Sequence, residues 1–136
     1  RLDTLQAAII LEKLKLFKDE VHARNKVAMY YLKNLSANFK KPYVPKNYLS
    51  SWAQFSILAD SYEHRKRTMH KLNENQIPSM IYYRIPLHMQ KVFKSLGYKK
   101  GDFPIAEKIA SRIFSIPMHP YLNNEEQDMI INYLAP

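Results

Sequence analysis

Apolar residues recur at three- and four-residue steps, or their sum, from the first turns of the chain onward. Ala7, Ile10, Leu14, Phe17, Val21, Ala28, Tyr31 and Leu35 share one face, and residues 2–38 contain neither proline nor glycine. The spacing predicts one long amphipathic helix. Its two halves differ. Ala7-Ala8-Ile9-Ile10-Leu11 is apolar around the whole circumference, whereas later turns keep a lysine-rich outer face. A turn that is apolar all round needs cover on every side, more than a domain of this size can supply, so it is expected to pack on a second domain or subunit. An edge of ordinary core is the other reading. No cap, turn or linker is read ahead of this helix and the chain does not begin with methionine, so a cut from a longer protein is the expectation.

Beyond the helix, Lys41-Pro42-Tyr43-Val44-Pro45-Lys46-Asn47 reads as an extended connection punctuated by proline. Residues 52–58 then predict a strand with Ala53, Phe55 and Ile57 on one face. Ser61 is placed to cap a helix running to about Asn75, with Glu63 in its first turn and a narrow apolar stripe of Tyr62, Met69 and Leu72. The His64-Arg65-Lys66-Arg67 run on that helix reads as solvated. Ile77-Pro78 closes the turn, and residues 79–83 predict a second strand. Residues 89–96 read as a short helix stopped by Gly97, and Pro104 opens another whose apolar face is Ala106, Ile109, Ala110 and Ile113. Phe114-Ser115-Ile116 gives a last strand. Asn124 with Gln127 reads as a capping-box variant for a terminal helix anchored by Met129, Ile130, Tyr133 and Leu134.

Few short strands between helices predict an α+β fold: a small two-layer domain with a mostly antiparallel sheet and helices on one face. The long helix (1–40) enters it, and residues 41–136 form the domain itself. At 136 residues, 46% apolar and only two glycines, the chain can bury a core amounting to about 70% of its unfolded surface. No window approaches the roughly 18 apolar residues of a membrane span, and the first residues lack a signal-peptide pattern, so a cytoplasmic protein without a membrane partner is expected. The absence of cysteine removes disulfides, thiolate metal sites and thiol nucleophiles from consideration.

The net charge of +9 raises nucleic acid as a partner, and its distribution argues against it. Residues 1–41 carry nine bases and four acids, residues 84–112 seven and two, and residues 115–136 three acids and no base. The excess is split between regions and interleaved with acids on helix faces, so no nucleic-acid partner is expected. A basic binding module acting without an enzyme stays open as an alternative. His22, His64, His70, His88 and His119 show no metal-ligand spacing, and no metal site is expected. With both glycines at 97 and 101, neither a nucleophile elbow nor a glycine-rich phosphate loop can be written. The chain carries no self-contained catalytic motif.

Five segments together carry a family resemblance. Tyr82-Tyr83-Arg84-Ile85-Pro86-Leu87-His88-Met89-Gln90 resembles the sugar-binding loop of the DegT/DnrJ/EryC1/StrS aminotransferases. Leu5-Gln6-Ala7-Ala8-Ile9, Ser51-Trp52-Ala53-Gln54-Phe55, Phe103-Pro104-Ile105-Ala106-Glu107 and Ile116-Pro117-Met118-His119-Pro120-Tyr121-Leu122 follow the order of that family. The resemblance extends from Arg1 to about Leu134. It implies the small C-terminal domain of a fold-type-I transferase dependent on pyridoxal phosphate, with the large cofactor-binding domain absent from this chain.

The same resemblance implies a function: transfer of an amino group, from glutamate, to a keto group on a nucleotide-linked deoxysugar, by a homodimer. The catalytic lysine that forms a Schiff base with the cofactor is then expected upstream, so this chain alone should be inactive. His88, Tyr83 and Arg84 are the substrate-binding candidates. His88 can hold a pocket rim, or simply cap the turn at Met89. Tyr83 offers a hydroxyl and Arg84 a bidentate fork, and strand alternation puts only one of them into a site. Arg1 matches the last residue of a family Asn-x-Arg motif near the cofactor phosphate of the neighbouring subunit. Trp52 and Gln54 resemble a family strand motif, with a core role the simpler reading for the tryptophan, and His119 resembles a family turn residue that fixes the turn. A relative that lost the catalytic lysine and became a regulator or a dehydratase would leave this region nearly unchanged.

Overall fold

The computed structural model describes residues 2–135, so the Arg1 candidate lies outside the described residues. The chain opens with α1, Thr4–Asn34, a 31-residue helix that is about 46 Å long at 1.5 Å per residue. It does have a cap. The Asp3 carboxylate accepts the Gln6 N–H at 2.9 Å, a signal the apolar periodicity had obscured. The helix stops at Asn34 rather than near Asn38 because the chain must turn to pair Lys40 with Leu58 across the sheet edge. Lys41 secures that end, its ammonium donating to the carbonyls of Leu32 and Leu35 at 2.9 and 2.7 Å.

Two short strands follow in antiparallel register, β1 (Phe55–Leu58) and β2 (Ile113–Ile116), with Phe55 opposite Ile116 and Leu58 opposite Ile113. β1 is shorter than the pattern predicts. Trp52 sits at φ 47°, off the extended path, with its indole N–H donating to Asn25 and its carbonyl accepting from Arg24. Those bonds tie the segment to α1 and leave Ala53 exposed instead of on the inner strand face. Residues 79–83 supply only the Met80–Ser115 bridge in place of a full strand. The domain is nevertheless the small α+β unit expected, with an antiparallel sheet and helices packed beside it.

The helix α2, Tyr62–Glu74, is capped by Ser61, whose hydroxyl accepts the His64 N–H. It ends in a Schellman motif: Ile77 N–H returns to the Leu72 carbonyl and Gln76 N–H to that of Asn73, with Gln76 at φ 58°. Its inner face is Arg65, Thr68 and Leu72, whereas Tyr62 is half exposed and Met69 only flanks the core. The expected solvation of the basic run thus fails at Arg65.

After two 3₁₀ turns, α3 (Pro104–Ala110) buries Ala110, leaves Ala106 and Ile109 exposed, and ends before Ile113, which belongs to β2. The terminal helix α4, Asn124–Leu134, is boxed one residue earlier than predicted: Asn123 accepts the Glu126 N–H while Glu126 accepts that of Asn123. The shift turns Gln127, Ile130 and Leu134 inward and Met129 outward. Gln127 is buried, and its side-chain amide donates to the Val27 carbonyl at 3.0 Å, joining α4 to α1.

The core gathers Tyr31, Leu35, Phe39, Phe55, Ile57, Leu72, Phe114, Ile116 and Ile130 into one cluster. Phe55 lies between the Tyr31 ring at 5.1 Å and a stacked Trp52 ring at 5.4 Å. Only the last turns of α1 enter this core, through Val27, Ala28, Tyr31 and Leu35. Of the predicted stripe, Ile10, Leu14 and Phe17 stay exposed at 44%, 59% and 56%, and Ile9 and Leu11 beside them are exposed as well. Among the described residues no helix is long and apolar enough to cross a membrane.

Candidate functional site

The loop that follows the Met80 bridge shares a cleft with α2 and α3. Tyr82 and Tyr83 meet edge to face at 6.0 Å, and Tyr83 is 72% exposed. Pro86 then starts a 3₁₀ turn, Leu87–Met89, because its fixed φ suits the entry and its missing N–H is not needed there. A second 3₁₀ turn, Lys91–Leu96, replaces the predicted α-helix. Gly97 closes it at φ 77°, a left-handed conformation that favours glycine. Gly101 at φ 98° forms the turn before α3.

The proline turn directs His88 inward. Its Nε2 lies 3.1 Å from the Glu107 carboxylate, its side chain is 8% exposed, and its ring packs on Phe103 at 4.8 Å. Phe103 meets Tyr98 edge-on at 5.2 Å, which extends the contact across the turn. The same Glu107 oxygen accepts the Gly101 N–H at 2.7 Å. One carboxylate on α3 therefore holds both the histidine loop and the glycine turn. That Gly101 bond first, and then the bond from His88, keep the Glu107 carboxyl below its ordinary pKa despite the opposing effect of burial.

A depressed folded-state pKa gives a stabilisation that is full above the unfolded value, about 4.3, and is lost as pH falls through the lower folded value. Glu107→Gln is therefore expected to speed Gly101 amide exchange at neutral pH, since a neutral carbonyl oxygen is the weaker acceptor. The difference between variant and parent should shrink as acid protonates Glu107. Equal protection of Gly101 in both proteins at neutral pH would refute this role.

Between α2, the loop and α3 opens a cleft of about 590 Å³. Arg84 lines it and Tyr83 does not, so the structure separates these neighbours. Arg65 and Lys66 of α2, Lys100 from the glycine turn and Glu107 of α3 complete its polar lining. A smaller hollow of about 190 Å³ lies at the end of β2, where Gln54, Met80, Tyr82 and Met118 converge. His119 is exposed, and its carbonyl accepts the Leu122 N–H within the turn. Among the described residues no three His, Asp or Glu side chains converge as metal ligands.

Arg65 and Glu107 were missed as candidates. A sequence signal existed for the first: Arg65, Thr68 and Leu72 have the i, i+3, i+7 spacing of one helix face, which places the arginine with the leucine. For Glu107 the pairing with His88 spans 19 residues and an irregular loop, so no local pattern announces it.

A sequence profile described as the DegT/DnrJ/EryC1/StrS aminotransferase family matches residues 1–135. The chain is 36% identical over 124 residues to UDP-2-acetamido-2-deoxy-3-oxo-D-glucuronate aminotransferase of Pseudomonas aeruginosa, covering 90% of this chain and 33% of that protein. It is also 36% identical over 136 residues to a pleiotropic regulatory protein of Geobacillus stearothermophilus, covering 99% of this chain and 37% of that one. Among solved structures, a DegT DnrJ EryC1 StrS aminotransferase from Brucella abortus superposes with a TM-score of 0.89 at 43% identity. That match covers 98% of this chain and 35% of the other. The chain spans about a third of the length of the relatives it matches.

Proposed function

Because the chain belongs to the DegT/DnrJ/EryC1/StrS aminotransferase family, we propose that it is the small C-terminal domain of an aminotransferase dependent on pyridoxal phosphate. The intact enzyme moves an amino group, from glutamate, onto a keto group of a nucleotide-linked deoxysugar. The observation that carries this reading is the end-to-end family match of a chain only a third as long as its relatives. The name of the Pseudomonas relative, an aminotransferase of a 3-oxo UDP-sugar, supports the substrate class. The uncovered apolar half of α1 supports the missing two thirds: Ile9, Ile10, Leu11, Leu14 and Phe17 form the surface a larger domain or second subunit would bury. A cytoplasmic homodimer is part of the same proposal.

Pyridoxal phosphate supplies an electron sink when bound, and it needs a lysine to condense with and an acid facing its ring nitrogen. This chain does not fit that requirement alone. Lys41 is tied to the end of α1, Lys66 and Lys100 stand exposed at the cleft, and Glu107 is committed to Gly101 and His88. No chemical step is assigned to these residues.

What the chain offers is placement. Arg84 lines the cleft, Tyr83 is exposed outside its lining, and His88 fixes the loop against α3. In the proposed enzyme Tyr83, Arg84 and His88 border the sugar, with His88 acting through the loop's shape in the conformation seen here. Arg1 is proposed to lie near the cofactor phosphate of the neighbouring subunit.

The similarity to a pleiotropic regulatory protein favours a second reading, a family member with a regulatory role. Intact mass and absorption of the full-length protein, before and after borohydride, separate the two. The first reading expects an absorption band near the visible edge, lost on reduction, with the cofactor fixed covalently to a lysine outside residues 2–135. A full-length protein that binds no pyridoxal phosphate would overturn it.

A further inference from the structure

The segment 81–96 carries Tyr83, Arg84 and His88, yet little in this chain holds it. None of its residues is buried, and Ile85, Leu87 and Val92 are exposed. Its backbone hydrogen bonds are local: the Met89 N–H donates to the Pro86 carbonyl at 2.9 Å, the Gln90 N–H to that of Leu87 at 3.1 Å, and the Phe93 N–H to that of Gln90 at 3.0 Å. Among the described residues, the one hydrogen bond that joins this segment to a distant part of the domain runs from His88 to Glu107.

The glycine turn is likewise closed on itself, with the Asp102 carboxylate accepting the Lys99 N–H at 2.9 Å. Its outward link is again Glu107, whose Oε1 accepts the Gly101 N–H at 2.7 Å and lies 3.1 Å from His88 Nε2. An ionised carboxylate has no proton to give, so His88 Nε2 carries the proton and donates. Two preformed pieces thus meet on one oxygen. The Glu107 side chain is only 17% exposed and the His88 ring is covered by Phe103, so water competes poorly for these charge-assisted bonds. The helix that presents the oxygen is held at both ends. The Glu107 N–H donates to the Phe103 carbonyl at 3.0 Å in the first turn, and Arg65 of α2 donates to the Ala110 carbonyl at 2.8 Å at the last.

We infer that Glu107 is a positioning residue for the sugar half of the proposed transamination, the latch that sets the proline loop and the glycine turn as one unit. It touches no substrate and acts through His88 and Gly101. The inference rests on the reading of Tyr83, Arg84 and His88 as residues that border the sugar. In that enzyme the lysine and cofactor of the large domain serve both half-reactions, whereas the loop serves the sugar. Loss of the latch therefore frees the loop in one half-reaction and spares the other. The fold tolerates this, because the core cluster contains no residue between 82 and 107.

The test follows the two half-reactions of the full-length protein separately by cofactor absorption, with glutamate as donor and a set of UDP- and dTDP-linked 3-oxo and 4-oxo sugars as acceptors. Glu107→Gln keeps the shape of the side chain and weakens the acceptor. It is expected to lower kcat/KM for the sugar at least about tenfold, chiefly through KM, and to leave the glutamate half within about twofold. Asp102→Asn, which removes an acid from the same turn without touching the loop, should change neither half. Amide exchange gives a readout independent of turnover: Gln90 and Gly101 should both exchange faster in Glu107→Gln, since one oxygen holds both segments. Equal slowing of both half-reactions would make Glu107 merely structural and overturn the inference, as would an unchanged sugar half or unchanged Gln90 exchange. A parent protein that converts none of these sugars overturns the aminotransferase reading itself, and the inference falls with it.

Discussion

Phe55→Ala is expected to destabilise the domain by about 3–5 kcal/mol, a large share of the roughly 5–15 kcal/mol that holds a domain of this kind together. Phe55 is fully buried at the point where three elements meet: β1 carries it, Tyr31 of α1 packs on one side, and Trp52 stacks on another. Truncation removes the burial of the ring and leaves a cavity whose walls are pinned. Tyr31 is held by its hydroxyl donating to the Pro117 carbonyl, and Trp52 by its bond to Asn25. Such walls collapse poorly, which puts the cost toward the upper end of the range. Urea unfolding followed by tryptophan fluorescence measures it. A loss below about 1 kcal/mol would mean that Phe55 is not the centre of the core.

The second large effect concerns the opposite end of α1. Ile10→Lys/Leu14→Lys is expected to disrupt the full-length protein while leaving the melting of the small domain itself nearly unchanged, within about 0.5 kcal/mol. Both side chains are exposed within this chain, so nothing in its own core is lost. Lysine also has a helix propensity close to that of leucine, so the helix should persist. In the proposed enzyme both positions are covered. Burial of each leucine or isoleucine contributes about 1.5–3 kcal/mol, and a lysine forced into the same contact adds a desolvation cost. A combined loss of about 4 kcal/mol corresponds to roughly a thousandfold in an association constant. Sedimentation and retained cofactor would report it. Unchanged assembly would show that this face stays in water and would remove the structural support for a missing larger domain.

These two substitutions divide the long helix at the place where its pattern stops describing this domain. The periodicity from Ala7 to Leu35 predicts one apolar stripe, and only Ala28, Tyr31 and Leu35 of that stripe reach the core. A stripe states that a face needs burial. It does not state by what. The same limit applies to α2, where the stripe drawn through Tyr62 and Met69 lies beside the face that Arg65, Thr68 and Leu72 bury. A charged residue on that face reads as solvated until the structure shows it lodged against the carbonyls of Ala110 and Ile113, 45 and 48 residues away.

Of the candidate residues, the loop containing Tyr83, Arg84 and His88 was legible through its proline and its resemblance to a family segment, and the directions of the three side chains were not. Arg84 faces the cleft, Tyr83 stands clear of it, and His88 turns to Glu107. Once the segment leaves the strand after Met80, alternation of faces no longer applies. Side-chain direction there follows from the 3₁₀ turns and from what α3 presents.

By itself the sequence determined the elements whose causes are local. Ser61 and Pro104 start helices, Gly97 ends a turn, and the alternating and helical periods assign strand and helix because capping, φ preference and side-chain period act within a few residues. It also determined the family, since five segments in order identify it without coordinates. The tertiary structure alone decided the length of β1, the reduction of residues 79–83 to a single bridge, the burial of Arg65 and the His88–Glu107 contact. Each of these depends on groups distant in sequence satisfying one another's hydrogen bonds and excluding water, a balance that no single segment carries.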